Sequence, residues 1–295
     1  MAANTREIKG RMKAVGNIKR ITKTMQMIAT ARFQAMQRRA TDAQAFTQKI
    51  SDVVSELATA LGSDGSVSHP LANAPEASTG RELILVITSN RGLCGGYNAN
   101  ILRAAGQHLM ALGVQNADID VVGKKGIGFC KFNNIPVTET HDFGDAPAYE
   151  DVEALAQAYM DKFTAGQYDA VKVIYMSFIS MSKQEPVVQQ LLPLEPPKAE
   201  EAESGPLKAT AIYDFMPDPA ELMAELLPLT VKTTLFQCFN EAVVSEQLAR
   251  MVAMKAATDA AGKQGKLLKR QFNRARQTAI TTELSEIISG AAALE

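Results

Sequence analysis

The chain has 295 residues with 46% hydrophobic content, 6% aromatics, no Trp and a formal net charge of -1, ordinary figures that support a buried core in one large or two modest domains. Its three cysteines, Cys94, Cys130 and Cys238, are widely spaced, which argues against a disulfide framework or a cysteine zinc site and fits a reducing compartment. No run of 18 apolar residues is present, and the N-terminal stretch lacks the apolar core and small-residue cleavage site of a secretory leader, so a soluble or peripherally bound chain is expected.

The first expected element is a long helix from about Asn4 to Leu61. Ile8, Met12, Val15, Ile18, Ile21, Met25 and Ile28 recur at intervals of three and four, a single stripe on one helix face. Asn4 or Thr5, with Glu7 nearby, supplies an N-terminal cap signal, and Gly62 to Gly65 a stop. At 1.5 Å per residue such a helix runs roughly 87 Å, more than a compact domain of this size spans, so it requires a long partner. Between Ile8 and Thr41 there are nine Lys or Arg and no acid. A transit peptide, a nucleic-acid arm and the solvated face of a coiled coil all fit that composition. The coiled coil is favoured because the stripe continues through Val53 and Leu57, and because only Phe33 and Phe46 could stack on bases.

The middle of the chain alternates strand and helix. Glu82 to Thr88 (ELILVIT) is a continuous apolar run of the kind buried on both faces. A helix from about Asn98 to Leu112 follows, then a short strand at Ile119 to Val122, a helix near Lys124 to Phe132, a helix from Glu150 to Phe163 and a strand from Ala170 to Ser177. This order predicts a mostly parallel, Rossmann-like sheet covered by helices. Pro186 to Pro193 reads as an edge strand or an exit from the domain, and residues 195–208 as an acidic solvated loop. Seventeen acids and five basic residues lie between Glu139 and Glu225, so the acidic middle separates two basic ends.

After Pro228, the last proline, 67 residues carry Val244, Leu248, Met251, Leu268, Phe272, Ile280, Leu284 and Ile287 at helical spacing. Eight basic residues and one acid, Asp259, fall between Arg250 and Arg276. Gly262 and Gly265 weaken the helix, and frequent Ala lets two helices approach closely. The fold class expected is therefore α/β plus a long antiparallel coiled coil. Residues 1–62 form the N-terminal coiled-coil helix, 63–216 the central α/β domain and 217–295 the C-terminal coiled-coil helix.

The loop SNRGLCGGYN at 89–98 follows the first strand, where nucleotide-binding folds hold phosphates. Its spacing is neither G-x-G-x-x-G nor that of a P-loop, and no Lys follows inside it, so a structural turn is the preferred reading. Cys94 has no local relation to His69, His108 or His141 and reads as a buried thiol rather than a nucleophile. Asp142 with Asp145, and Glu150 with Asp151 and Glu153, read as a solvated loop and an acidic helix N-terminus.

Glu7 to Arg32 (EIKGRMKAVGNIKRITKTMQMIATAR), SNRGLCGGYN, ARMVAMKAATDAAG and NRARQTAITTELSEIISGAAAL together resemble the gamma subunit of F-type ATP synthases, as does YDFMPDP at 213–219. The resemblance implies a non-catalytic central-stalk rotor without cofactors. It would be inserted into a hexamer of alpha and beta subunits, with its globular foot against the epsilon subunit and the proton-driven c-ring, and no nucleic acid would be bound. It implies torque-bearing contacts with catalytic subunits at Lys23, Met25, Arg250, Gln277 and Thr281, and a bearing tip over 284–294 with Leu284, Ile287, Ile288 and Leu294. It further implies a ring-facing contact at Tyr213, Asp214 and Met216, where Met216 replaces a Glu common in the family. A peripheral position on the cytoplasmic face of a bacterial inner membrane follows from the same likeness. The remaining alternatives are an α/β nucleotide-binding enzyme with helical extensions and a nucleic-acid-binding coiled coil.

Overall fold

The computed structural model describes residues 2–60, 69–73, 78–194 and 219–292. By backbone contacts the chain divides into two units, residues 1–31 with 250–295, and residues 32–249. The elements in order are α1 (Ala2–Ala60), β1 (Glu82–Ile87), α2 (Tyr97–Leu112), β2 (Ala117–Val122), α3 (Lys124–Phe132), β3 (Glu139–His141), α4 (Tyr149–Thr164), β4 (Ala170–Phe178), β5 (Gln184–Leu192) and α5 (Pro219–Ala292).

In the larger unit the five strands form one sheet in the order β3-β2-β1-β4-β5. The first four are parallel, with Leu85 registered on Asp120 and on Val173. Strand β5 closes the edge antiparallel to β4, which settles the Pro186–Pro193 segment as sheet rather than exit. Alternation along the strands divides the core into two layers. Leu83, Leu85, Ile87, Val171 and Val173 pack with Val152, Tyr159 and Phe163 of α4 and with Val231, Leu235 and Phe239 of α5. Ile84, Val86, Ile119, Val121 and Ile174 face Ile101, Ala105 and Leu109 of α2 and Cys130 of α3. Gly123 (φ +91°) turns β2 into α3; a Cβ there would lie 2.3 Å from the Thr88 carbonyl oxygen, so only glycine fits.

One boundary differs from the sequence expectation. Helix α1 begins at Ala2, so Asn4 and Thr5 lie inside its first turns, and Glu7 pairs with Arg11 one turn on rather than completing a cap. The stop signal at Gly62 to Gly65 lies outside the described residues. Helix α5 starts at Pro219 and runs through Pro228. An interior proline costs about 3 kcal/mol, but the turn that contains it buries Met223 and Leu227 against Ile50, Val54 and Leu57 of α1. Pro219 occupies the first helical position, where its missing N–H is no loss. Strand β3 has no counterpart in the reading above, because three residues, Glu139, Thr140 and His141, are too few to show alternation.

Candidate functional site

In the smaller unit the two chain ends run antiparallel. Thr258 Oγ1 on α5 donates to Thr22 Oγ1 on α1 at 2.8 Å, and both residues are buried. Gly265 faces Val15 and Gly262 faces Lys19. One residue down α1 therefore corresponds to one residue up α5, which sets Ile8 level with Phe272 and Ala2 level with about Thr278. The less exposed positions of α1 recur every seven residues, at Ile8, Val15, Thr22 and Ala29, and those of α5 at Met254, Ala261, Leu268, Ala275 and Thr282. A strict seven-residue repeat is the seam of a left-handed coiled coil.

The expected stripe on α1 is only partly this seam. Ile8, Met12 and Val15 belong to it, but Ile18, Ile21 and Ile28 are exposed, Ile21 by 57%, with Met25 half-buried beside them. The seam passes instead through the small side chains of Thr22 and Ala29, which allow close helix approach. The bulky residues one position earlier are thereby turned onto the flank. An apolar flank thus borders exposed Lys19, Arg20 and Lys23. The whole unit carries fifteen Lys or Arg against five acids.

Beyond the level of Ala2, α5 changes character. Every residue from 283 to 290 is exposed, including Leu284, Ile287 (69%) and Ile288, and Ile280 is exposed just before them. These side chains form an unpartnered apolar end among the described residues. Gln277 and Thr281 are exposed on the same stretch, with Thr281 Oγ1 donating to the Gln277 carbonyl at 3.0 Å. Lys23 is exposed on α1, whereas Arg250 is only 8% exposed. Along α5, Arg250 therefore lies five to seven residues short of the level of Met25 and Lys23, and Gln277 and Thr281 lie 27 and 31 residues beyond Arg250, roughly 40–47 Å at 1.5 Å per residue. Tyr213, Asp214, Met216 and Leu294 lie outside the described residues.

In the larger unit the 89–98 loop is tied to itself. Ser89 N donates to Asn98 Oδ1 at 3.0 Å, Asn98 Nδ2 donates to Ser89 Oγ at 2.7 Å, and Cys94 is 2% exposed beneath them. Asn90 Nδ2 donates to Asp142, and Asn90 Oδ1 accepts from Lys124 N. These bonds tie the two ends of the loop to each other and to the neighbouring turns. Burial raises the pKa of Cys130 and lifts that of Cys238 to about 12, leaving both as thiols. Three of the acidic residues also have structural partners. Asp142 is held below the usual carboxylate range by the Gly144 N–H and Asn90, Asp145 bridges Arg32 and Arg91, and Glu153 pairs with Lys232 at 2.9 Å.

A sequence model of the ATP synthase family matches residues 4–294. The chain is 44% identical to the ATP synthase gamma chain of Rhodopirellula baltica, over 99% of each chain. It is 39% identical to that of Desulforamulus reducens, over 99% of this chain and 100% of the relative. The chain belongs to the ATP synthase gamma-chain family. Among solved structures it resembles a chain of the Euglena gracilis mitochondrial ATP synthase (OSCP/F1/c-ring, rotational state 3) with a TM-score of 0.67, at 19% identity, covering 100% of this chain and 95% of that one. A chain from the rotor of the same enzyme, rotational state 1, gives 0.62 at 18% identity over 95% and 100%. At these identities the structural likeness establishes the gamma-type fold, a helix pair from the two chain ends with a mostly parallel central sheet. No helix among the described residues is long and apolar enough to cross a membrane.

Proposed function

We propose that this chain is the central shaft of a rotary ATP synthase, a non-catalytic subunit that couples rotation of an ion-driven ring to nucleotide binding and release elsewhere. The observation that carries this reading is the coiled coil of the two chain ends, continued by the bare apolar end of α5. Within the helical segments 1–62 and 217–295 the chain ends, residues 1–31 and 250–295, supply the coil, and the α/β domain, residues 63–216, serves as the foot. Its partners are the alpha and beta subunits around the helices, and the epsilon subunit and c-ring at the foot. It sits peripherally on the cytoplasmic face of a bacterial inner membrane.

A shaft shifts nucleotide affinity only through contacts that differ among the surrounding subunits at each orientation. The apolar flank of Ile18, Ile21, Met25 and Ile28 breaks the symmetry of the helix pair. As it turns, each surrounding catalytic subunit meets in sequence an apolar face and a basic one. The coupling is reciprocal, so nucleotide binding also drives the shaft. Lys23, Met25 and Arg250 act in the lower contact zone, and Gln277 and Thr281 in the upper. Leu284, Ile287, Ile288 and Leu294 turn in an apolar bearing, while Tyr213, Asp214 and Met216 face the ring. Exposed Lys and Arg add long-range attraction to acidic surfaces without fixing a register, which permits sliding.

Purification of the complex from the native membrane tests this directly. One copy of the chain per three catalytic subunits is expected, with ion-coupled synthesis lost when the chain is omitted from reconstitution. Full coupling without it would refute the proposal.

A further inference from the structure

The larger unit contains a second constellation that rotation does not use. Asp120 on β2 is 0% exposed, yet among the described residues its Oδ2 accepts only from Tyr159 Oη, at 2.9 Å, and its Oδ1 has no hydrogen-bond partner. His141 Nε2, at the end of β3, is equally without a hydrogen-bond partner among the described residues and lies 3.8 Å from Asp120 Oδ2. The parallel register pairs Asp120 with Glu139, so Glu139 and His141, two apart on β3, share the sheet face of Asp120. One donor atom from each of the three residues lies within 4.8 Å of the others. The imidazole stacks on Phe143 with ring centroids 5.7 Å apart and planes 6° apart, which holds its orientation.

A carboxylate taken out of water with one oxygen unpaired is costly, and an unpaired imidazole nitrogen facing it leaves the same cost on both sides. We propose that Asp120, Glu139 and His141 bind a divalent transition metal, Zn²⁺ being the best match. Two carboxylate oxygens and one imidazole nitrogen form a borderline donor set that suits zinc better than the hard, oxygen-seeking Mg²⁺. Zinc bonds of about 2.0–2.2 Å require donors roughly 3.4 Å apart. The Asp120–His141 pair is already near that spacing, and exposed Glu139 closes the remainder by a side-chain rotation. Water completes the fourth position.

The bound metal would pin β3, a three-residue edge strand, to β2. Lys162 Nζ lies 3.7 Å from Glu139 Oε2 and competes for that carboxylate.

The test uses the untagged full-length chain, stripped with chelator and titrated with Zn²⁺ against a chromophoric competitor, with amide exchange followed over residues 138–143. The expected result is one zinc per chain and slower exchange in that segment on binding. Glu139→Gln, at an exposed position that leaves folding intact, should weaken binding by at least about tenfold, His141→Gln should abolish it, and Lys162→Met should strengthen it. If His141→Gln fails to fold, Glu139→Gln and Lys162→Met decide. Absence of zinc binding, or equal affinity in wild type, Glu139→Gln and Lys162→Met, would overturn the assignment.

Discussion

The register of the coiled coil can be tested energetically at the Thr22–Thr258 pair. Thr258 Oγ1 contacts Thr22 Oγ1 and the Met254 carbonyl, each at 2.8 Å, and Thr22 Oγ1 donates to the Lys19 carbonyl at 3.2 Å. Thr258→Val removes the shared bond, worth about 1 kcal/mol, and leaves the buried Thr22 hydroxyl with only its longer bond. The added methyl returns up to about 0.8 kcal/mol, so this variant should be neutral to about 1 kcal/mol less stable. Thr22→Val costs less, because the single Thr258 hydroxyl proton can then turn to the Met254 carbonyl. In Thr22→Val/Thr258→Val no inter-helix hydroxyl is stranded and two methyls pack across the seam. That variant should be more stable than the sum of the singles by about 1–2 kcal/mol. Native-state amide exchange over residues 19–25 and 255–261 reads this locally, and a coupling of 1.4 kcal/mol appears as about a tenfold departure from additive protection. Strict additivity would mean that the two hydroxyls do not meet, and the register deduced from them would fall.

Three further outcomes are expected. Gly265→Ala should stabilise the helix pair by about 0.8–1 kcal/mol, since the new Cβ meets Val15 at an ordinary 3.9 Å; slower exchange around residue 265 supports this and faster exchange contradicts it. Met25→Lys should place a cation in the apolar flank and lower the ATP made per ion translocated while assembly remains normal, and unchanged coupling would remove Met25 from the contact surface. The Asp169 carboxyl is depressed to about 2 from 3.8, chiefly by the Ser78 hydroxyl and also by the Thr79 and Gly80 N–H groups. Its stabilisation is thus fully present above about pH 4 and lost as pH falls towards 2, so amide exchange at residues 79–80 should rise across that window in wild type but not in Asp169→Asn.

Sequence patterning revealed the elements whose burial is all or none. The apolar run at Glu82 to Thr88 read as a strand buried on both faces, and α3 was legible near its observed ends, Lys124 and Phe132. The N-terminal helix was legible, but the direction of its apolar face was not. Hydrophobicity marks Ile18, Ile21 and Ile28 as core, while the partner helix accepts Thr22 and Ala29, since close approach rewards small side chains. That a helix could run on through Pro228 had no local signal, because the compensating contacts with Ile50, Val54 and Leu57 come from some 170 residues away. The Asp120–His141 constellation had no local signal. Its members are 21 positions apart and are joined only by the parallel pairing of β2 with β3.

The most direct measurement of the central claim is single-molecule rotation. A probe would be fixed to an exposed position on α3, such as Phe132→Cys, in a complex whose catalytic subunits are immobilised. On addition of ATP the probe should turn in one direction with three equal steps per revolution, and removal of residues 284–295 should make the motion irregular without stopping ATP binding. Sustained ATP turnover with the probe stationary relative to the immobilised subunits would contradict the account.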